Sequence, residues 1–315
     1  MVKTGKPSVV KSKEIIVSMT SYPARIHSAV LALKTIYKQT KLPDKVILWL
    51  AESEFPNKLD DLPVNLRRLI TEKGLLIRWC EEDLKSHKKY FWAFKEYPAA
   101  LVITVDDDVV YPPRRIENLY RSYLLHPKAV SATRACLIPM SQDGEIPPYK
   151  SWPVGIDAFI SIPSLQLSAI GDGGVLYPTS LFSDVQNLLD IEVIKRACLY
   201  EDDLWLKAME LVAGIPVVVA EGFEFLIYTP NSQQNGLYHE NWENGRSDRQ
   251  LLQIQKEIDR RYGDNYFLKK LTDPTIGENL VGVKVLADLI IYYQNKINNY
   301  KRDYFLKTLR ISNKD

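Results

Sequence analysis

The chain has 315 residues, of which 46% are hydrophobic and 25% are charged, and its formal net charge is +2. Its length allows one large domain or two small ones, and the weak charge without a basic stripe argues against nucleic acid as a partner. The three cysteines, Cys80, Cys136 and Cys198, fit neither a zinc spacing nor a disulfide framework. No stretch approaches the ~20 apolar residues of a membrane span, and the N-terminus lacks a secretory signal. The sequence therefore predicts a cytoplasmic protein.

Alternating strands and helices are predicted for the first third of the chain. A helix between the first two strands is predicted from the spacing of Val30, Leu33 and Ile36. Strands separated by helical connections are typical of βαβ units, so the sequence predicts an α/β fold with a mostly parallel central sheet and helices on both faces. The predicted buried strands are short apolar runs at residues 14–19, 45–50, 75–79 and 101–105.

Three consecutive aspartates follow the fourth predicted strand. Asp106, Asp107 and Asp108 bring like charges to one edge of the sheet, and their mutual repulsion would raise their pKa values. Mg²⁺ and Mn²⁺ prefer oxygen ligands and bind substrate phosphates as well. Because open α/β sheets bind ligands at the carboxyl ends of their strands, the pattern predicts a metal–diphosphate site. A single aspartate could instead cap the helix that follows Pro112 and Pro113, which accounts for one acid but not for three.

The second half of the chain adds further polar motifs. A Gly-rich segment covers residues 171–174, and the acids at residues 201–203 open a predicted helix. The polar loop of residues 238–246 precedes another helix. For that helix Ser247 and Gln250 form a capping-box pattern.

The order of these motifs resembles the GT-A class of nucleotide-sugar glycosyltransferases, especially the inverting family 2 type of bacterial surface-polysaccharide synthesis. The resemblance covers roughly residues 14–250. It implies a Rossmann-like GT-A catalytic domain at residues 1–250, with a nucleotide-sugar-binding half at residues 14–135 and an acceptor-binding half at residues 136–250. Residues 251–315 would form a C-terminal helical extension.

The resemblance also implies roles for individual residues. Asp106 and Asp108 match the family's Asp-x-Asp motif, and His239 matches its late histidine, so these three would hold the divalent cation, Mn²⁺ or Mg²⁺. Asp202 matches the catalytic base at the head of the acceptor-side helix, with Glu201 beside it as a second candidate. The alternative for these two acids is a favourable acidic helix start, and the alternative for the histidine is a solvated side chain.

Contacts to the donor and the acceptor are implied in the same way. At the end of the second strand, where the family has acids, this chain has Ala51 and Glu52, so the nucleotide is left open and a UDP-sugar is the leading expectation. The alternatives to these contacts are that the lysines are solvated, that the glycines serve turns, and that the tryptophans belong to the core or rim. The expected donor contacts are Thr20, Tyr22, Arg25, Lys88, Lys89, Asp106 and Asp107. The expected acceptor contacts are Gly173, Gly174 and Trp242.

The resulting hypothesis is a metal-dependent, inverting glycosyltransferase with Asp202 as base. It would move a sugar from a nucleotide sugar to a hydroxyl of a glycan or lipid-linked glycan in bacterial capsule, lipopolysaccharide or exopolysaccharide synthesis. One alternative is a sugar nucleotidyltransferase, which would show a Gly-rich, basic phosphate loop where this chain has residues 21–25. The other is a catalytically lapsed glycan-binding protein on the same fold, and retention of both acid clusters argues against it.

The C-terminal tail carries a heptad-like apolar stripe surrounded by basic residues. The pattern predicts a helix that packs on its own domain or on a second subunit in a homodimer. The alternative is an interfacial helix on anionic lipid, which would place the protein on the inner face of the plasma membrane. The modest aliphatic content favours packing. The stripe consists of Leu286, Ile290, Tyr293, Ile297, Tyr300 and Tyr304.

Overall fold

The structure, a computed structural model, describes residues 13–141, 143–154, 160–222, 226–230, 232 and 245–276. The strands are β1 Ile15–Thr20, β2 Lys45–Ala51, β3 Leu76–Cys80, β4 Leu101–Val105, β5 Val109–Val110, β6 Val130–Ala132, β7 Ala135–Leu137, β8 Leu167–Ala169, β9 Val175–Pro178, β10 Val217–Val219 and β11 Ile227–Tyr228. The helices are α1 Ile26–Ile36, α2 Val64–Lys73, α3 Lys88–Glu96, α4 Arg115–Leu125, α5 Ile191–Ala197, α6 Asp202–Ala213, α7 Arg246–Tyr262 and α8 Tyr266–Leu271.

A seven-stranded sheet forms the centre of the molecule, in the order β10, β6, β9, β4, β1, β2, β3. The strands β3, β2, β1 and β4 are parallel to one another, and β10 is parallel to β6. Only β9 runs antiparallel to its neighbours β4 and β6 among the strands of this sheet. This arrangement confirms the predicted α/β class and the mostly parallel sheet, and all four strands predicted in the first third are present.

The central strands are apolar on both faces because helices cover both faces of the sheet. Along β1, Ile16 packs into the core on the side of α3, α6 and α7, whereas Val17 packs into the core on the side of α1, α2 and α4. Val102 and Ile103 of β4 alternate in the same way, as the two-residue period of a strand requires. The two apolar layers hold the sheet rigidly between them.

Strand register brings the predicted motifs to one edge of the sheet. Met19 of β1 is aligned with Val105 of β4 in the parallel pair, so the loops that follow both strands begin side by side. Thr104 is aligned with Val175 at the start of the antiparallel β9, which places the Gly-rich turn of residues 171–173 beside the same edge.

Helix α6 begins and ends as the sequence predicts, but α7 does not. Gly214 ends α6 in the left-handed conformation, with φ at 66°. The capping-box prediction is wrong, because α7 begins after Gly245 without a side-chain cap. Ser247 instead donates its hydroxyl hydrogen to Glu201, and the side-chain oxygen of Gln250 accepts the backbone N–H of Tyr200. Both side chains are buried against the start of α6, where a buried polar group needs a partner.

The predicted division at residue 250 falls within α7. Leu251, Ile254 and Ile258 of this helix pack into the core on the α3 side of the sheet. The division into domains stays a prediction. His239, Trp242 and the apolar stripe at residues 286–304 lie outside the described residues. None of the described helices combines the length and the apolar character that crossing a bilayer requires.

Candidate active site

A cavity of about 520 Å³ opens at the carboxyl edge of the sheet. It gathers the loop after β1, the aspartate cluster, the Gly-rich turn and the start of α6. Gly173 and Gly174, the predicted acceptor contacts, are not among the lining residues, whereas their neighbours Ile170 and Asp172 are. The lining residues are Thr20, Ser21, Tyr22, Arg25, Glu54, Asp83, Lys85, Ser86, Lys88, Lys89, Asp106, Asp107, Asp108, Ile170, Asp172, Tyr200, Glu201, Asp202, Asp203 and Tyr228.

Arg25 holds two of the three aspartates at one end of the cavity. Its Nη1 lies 3.3 Å from Oδ1 of Asp107 and 3.0 Å from Oδ2 of Asp108. The hydroxyl of Ser21 donates to Oδ2 of Asp107 at 2.6 Å, and Nη2 of Arg25 donates to the carbonyl oxygen of Ser232 at 3.1 Å. These contacts fix the loop after β1 against the aspartate cluster.

Burial governs the titration of these two aspartates. It raises the pKa of Asp107 to about 6, although the Ser21 hydrogen bond and Arg25 act in the opposite direction. Burial also raises the pKa of Asp108, and the negative charge of Asp106 adds to the effect. Both carboxyls hold their charge less readily than an exposed aspartate, so an added cation would favour their ionised forms.

Thr20 and Tyr22, which are predicted to contact the nucleoside, line the cavity. The hydroxyl of Thr20 donates to the carbonyl oxygen of Trp49 on β2 at 2.8 Å, so this side chain also links the end of β1 to β2. The guanidinium carbon of Arg25 lies 5.8 Å from the centre of the Tyr22 ring. This distance is within the range of a cation–π interaction between the guanidinium and the ring.

A buried ion-pair group lines the wall formed by the loops after β2 and β3. Nζ of Lys88 lies 2.6 Å from Oδ1 of Asp83 and 3.3 Å from Oε2 of Glu54, and its side chain is 2% exposed. The alternative of a solvated lysine is therefore wrong at this position. Glu52 pairs with Lys58, while Glu54 and Asp83, which no sequence motif marks, line the cavity.

Lys89 connects the aspartate cluster to the start of α6. Its Nζ lies 2.7 Å from Oδ1 of Asp106 and 2.9 Å from Oδ2 of Asp202. Burial alone would lower the pKa of Lys89, but these carboxylates, helped by Asp203, raise it well above its usual value. Burial alone would also raise the pKa of Asp202, but Lys89 holds it below the ordinary value. The pair is therefore charged on both sides at neutral pH.

The three acids at the start of α6 occupy three different environments. Burial, reinforced by the charge of Asp202, raises the pKa of Asp203 well above its usual value, and its Oδ2 accepts the backbone N–H of Gly171 at 2.9 Å. Burial raises the pKa of Glu201 to about 7, although Ser247 donates a hydrogen bond to it. At neutral pH Asp202 is ionised, Asp203 holds its charge less readily than an exposed aspartate, and Glu201 lies close to its midpoint.

Replacing Glu201 with Gln is expected to stabilise the folded protein at pH values above its pKa. Because burial raises that pKa from 4.5 to about 7, the unfolded chain releases a proton in this window while the folded chain keeps it. The free energy of unfolding of the wild type therefore falls as the pH rises through the window, by up to about 3 kcal/mol. Gln stays neutral and can still accept from Ser247, so it removes this dependence.

Urea unfolding of the wild type and of Glu201→Gln at about pH 5 and about pH 8 measures this effect. The stabilisation should be larger at the higher pH. Equal effects at both pH values would mean that Glu201 titrates normally in the folded protein.

Tyr111 and Asp172 complete the site, although sequence reasoning selected neither. The hydroxyl of Tyr111 accepts the backbone N–H of Asp106 at 2.7 Å and donates to the backbone carbonyl oxygen of Asp172 at 3.1 Å. The Asp172 carboxylate accepts from Arg134 at 2.5 Å and from Tyr228 at 2.7 Å. One sequence signal points to Asp172, because it is the acid within the Gly-rich segment of residues 171–174. The glycines are the more prominent feature of that segment.

Two of the predicted metal ligands, Asp106 and Asp108, lie in the part of the chain that the structure describes. Their carboxylates contact positively charged side chains. Asp106 pairs with Lys89 and Asp108 pairs with Arg25, so these two side chains offset the repulsion that had been expected to require a metal. The described residues contain no cluster of three or more His, Cys, Asp or Glu side chains able to hold a metal. Mg²⁺ and Mn²⁺ are often held by one or two carboxylates together with substrate phosphates. The two aspartates fit a cation of that kind, and the third predicted ligand, His239, lies outside the described residues.

No protein-family model and no curated protein matches the sequence, but solved structures match the fold. TarS of S. aureus in complex with UDP is 16% identical, with a TM-score of 0.50, over 82% of this chain and 70% of that one. TarS in complex with UDP-GlcNAc is 15% identical, with a TM-score of 0.51, over 82% and 71% of the two chains. The mannosyltransferase PcManGT from Pyrobaculum calidifontis, in complex with GDP-Man and Mn²⁺, is 14% identical, with a TM-score of 0.51, over 83% and 69%.

The chain has the GT-A fold. This confirms the fold that the motif order implied, across more than four fifths of the chain's length in both comparisons. In this GT-A chain the aspartate cluster follows the central strand β4 and meets the acidic start of α6 at Lys89, which contacts both. The arrangement combines carboxylates able to hold a cation with a buried, ionised carboxylate able to accept a proton.

Proposed function

We propose that this chain is a glycosyltransferase that moves a sugar from a nucleotide-sugar donor to a hydroxyl group of a glycan or lipid-linked glycan. The observation that carries the proposal is the pairing of Asp106 and Asp202 through one buried lysine, Lys89, within a single cavity. The first carboxylate belongs to an aspartate cluster suited to a diphosphate-bound cation. The second is a buried, ionised carboxylate suited to proton abstraction. A sugar held beside both carboxylates would meet both requirements of the transfer reaction.

On the donor side, Asp106 and Asp108 would hold the divalent cation, with His239 as a third ligand if its predicted role is correct. The bound cation would stabilise negative charge on the departing diphosphate. The complex of PcManGT with Mn²⁺ supports a cation at a site of this fold. Arg25, fixed by Asp107 and Asp108, adds a permanent positive charge at the same end of the cavity.

On the acceptor side, Asp202 would take the proton of the acceptor hydroxyl. The hydroxyl oxygen then forms a bond to the anomeric carbon, while the bond from that carbon to the diphosphate oxygen breaks and the diphosphate leaves with the electron pair. A base on the face of the sugar opposite the leaving group inverts the anomeric configuration. Lowering of the Asp202 pKa by Lys89 keeps the carboxylate ready to accept a proton at neutral pH.

A UDP-sugar is the first candidate for the donor. The complexes of TarS with UDP and with UDP-GlcNAc support it, whereas the complex of PcManGT with GDP-Man keeps a guanine nucleotide as the second. The proposed setting, synthesis of bacterial surface polysaccharide, rests on the resemblance of the motif order. So do the proposed acceptor contacts Gly173, Gly174 and Trp242.

A donor screen tests the proposal directly. The wild-type protein, incubated with Mn²⁺ and single UDP-, GDP- and TDP-sugars, is expected to release nucleoside diphosphate from at least one of them, by slow hydrolysis or by transfer to added glycan. Heat-inactivated protein is the control. Release of pyrophosphate from a nucleoside triphosphate and a sugar phosphate would instead identify a nucleotidyltransferase. Metal-dependent nucleotide binding should accompany turnover, and absence of both would identify a lapsed binding protein.

A further inference from the structure

Lys89 is shared by two carboxylates that serve opposite halves of the proposed reaction. Asp106 follows β4 on the donor side, and Asp202 begins α6 on the acceptor side. The lysine ammonium lies 2.7 Å from the first carboxylate and 2.9 Å from the second, and the lysine side chain is 5% exposed. A charge buried this completely is stable only when it is paired. The two carboxylates therefore fix the position of the lysine ammonium, and the ammonium fixes the positions of the carboxylates.

The surroundings of Lys89 leave the ammonium little freedom to turn toward a diphosphate. The next residues of α3, Tyr90 and Phe91, are fully buried, and the hydroxyl of Ser18 on β1 donates to the carbonyl oxygen of Lys89. A Cβ atom at Gly171 would lie 3.2 Å from Nζ, so the glycine allows the Gly-rich turn to close over the ammonium. The helix, the strand and the turn together fix Nζ between the two carboxylates.

The other groups around Asp202 do not replace the charge of Lys89. Burial lowers the pKa of His87 to about 4, so this ring is neutral at pH 7, and its Nε2 donates to the carbonyl oxygen of Cys198 at 2.6 Å. Glu201 and Asp203 are acids and can add only negative charge. Within the described part of the chain, the cation within ion-pair distance of Asp202 is Lys89. Burial raises the pKa of the remaining titratable neighbours, which are neutral at pH 7: Tyr90, Tyr177 and Cys198.

We propose that Lys89 is a positioning residue that keeps the Asp202 carboxylate ionised and oriented for the acceptor hydroxyl, and that couples this base to the donor-side Asp106. The inference rests on the proposed function and gives Lys89 a role other than the expected contact to the diphosphate. Without Lys89, the carboxyl of Asp202 would face burial and two neighbouring acids with no compensating charge. It would then take up a proton itself and could not accept one from the acceptor.

Lys89→Met tests the role, because methionine fills a similar volume without charge. The kcat at saturating donor and acceptor should fall by about 10²-fold or more at pH 7, and the loss should shrink as the pH rises and Asp202 ionises again. Affinity for the nucleotide should change much less than kcat. Lys207→Met is the matched control, since Lys207 is also buried but pairs with Glu210 and does not line the cavity. It should leave the pH dependence of kcat at the wild-type position.

A Lys89→Met enzyme whose kcat follows the pH dependence of the wild type, with its loss confined to donor affinity, would overturn the proposal and make Lys89 a diphosphate ligand. If the variant does not fold, the pH dependence of kcat for the wild-type enzyme tests the proposal instead. With donor and Mn²⁺ saturating, so that the bound cation keeps Asp107 and Asp108 ionised, its kcat should hold steady down to about pH 5, since a lysine-paired aspartate stays ionised there. A wild-type kcat that already falls below pH 7 would overturn the proposal and point to Glu201, whose pKa is about 7. Failure of the proposed function would look different, because the wild type would then transfer no sugar at all.

Discussion

Replacement of Asp202 by Asn is expected to lower kcat on the acceptor by ~10²–10⁴-fold, the usual contribution of a general base, while donor affinity stays near that of the wild type. The amide is nearly isosteric with the carboxylate but cannot take a proton. Lys89 keeps its pair with Asp106 in the variant, so the donor side of the cavity retains its charge balance. Steady-state kinetics with saturating donor, together with nucleotide titration of the same preparation, separates the two effects.

Asp203→Asn is the matched control for this experiment. Asp203 is the next residue along α6, and burial raises its pKa well above its usual value, so an amide replaces a carboxyl that is disfavoured in its charged form. The amide oxygen can still accept the backbone N–H of Gly171. Its loss of kcat should therefore be much smaller than that of Asp202→Asn. If Asp202 served only as an acidic helix start, its replacement would cost a few tenths to about 1 kcal/mol of stability and leave kcat nearly unchanged. The base would then be sought at Glu201.

Asp108→Asn is expected to abolish the part of nucleotide affinity that depends on a divalent cation, while the protein still folds. Loss of a direct ligand should exceed the 10–100-fold loss typical of outer groups around a metal, so the drop should be more than about 10²-fold. The fold should survive because burial and the charge of Asp106 already disfavour the ionised Asp108, and Arg25 keeps its pair with Asp107. Calorimetric titration of UDP with and without Mn²⁺ measures the difference.

Asp107→Asn provides the comparison within the same cluster. Asp107 accepts from Ser21 and Arg25 and is buried, so its replacement should disturb the loop after β1 more than the cation. The gain in UDP affinity on adding Mn²⁺ should persist in this variant. An Asp108→Asn protein that responds to Mn²⁺ as the wild type does would remove Asp108 from the metal shell.

Sequence reasoning found the frame of the site because that frame depends on local patterns. The apolar run at residues 101–105 and the aspartates behind it specify a buried strand with a charged end, whatever surrounds them. The acids at the start of α6 and the glycine at its end are equally local. Motif order then suggested that these pieces meet, and strand register places them at one edge of the sheet.

The partners of these residues were harder to anticipate because they depend on packing between distant segments. Lys88 and Lys89 are adjacent in sequence and look alike, yet one pairs with Asp83 and the other with Asp202. Tyr111 bonds the backbone of Asp172, 61 positions away. Burial also overrides local preference at α7, where the two residues of the capping-box pattern bond to the residues just before α6. The pattern of residues along the chain does not show which two buried charges will form an ion pair.

The reversed direction of β9 has a consequence for how such a protein can diversify. Because β9 runs against β4, the chain enters it at the cavity and leaves it at the far edge of the sheet. The connection between β7 and β8, residues 138–166, therefore enters the fold upstream of β9, and its described residues Ile160 and Ser164 bridge to the edge strand β10. The described residues of this connection do not line the cavity, so changes among the exposed ones can accumulate over evolutionary time without touching Asp106 or Asp202. One part of the molecule can thus diverge while the carboxylates of the cavity are inherited unchanged.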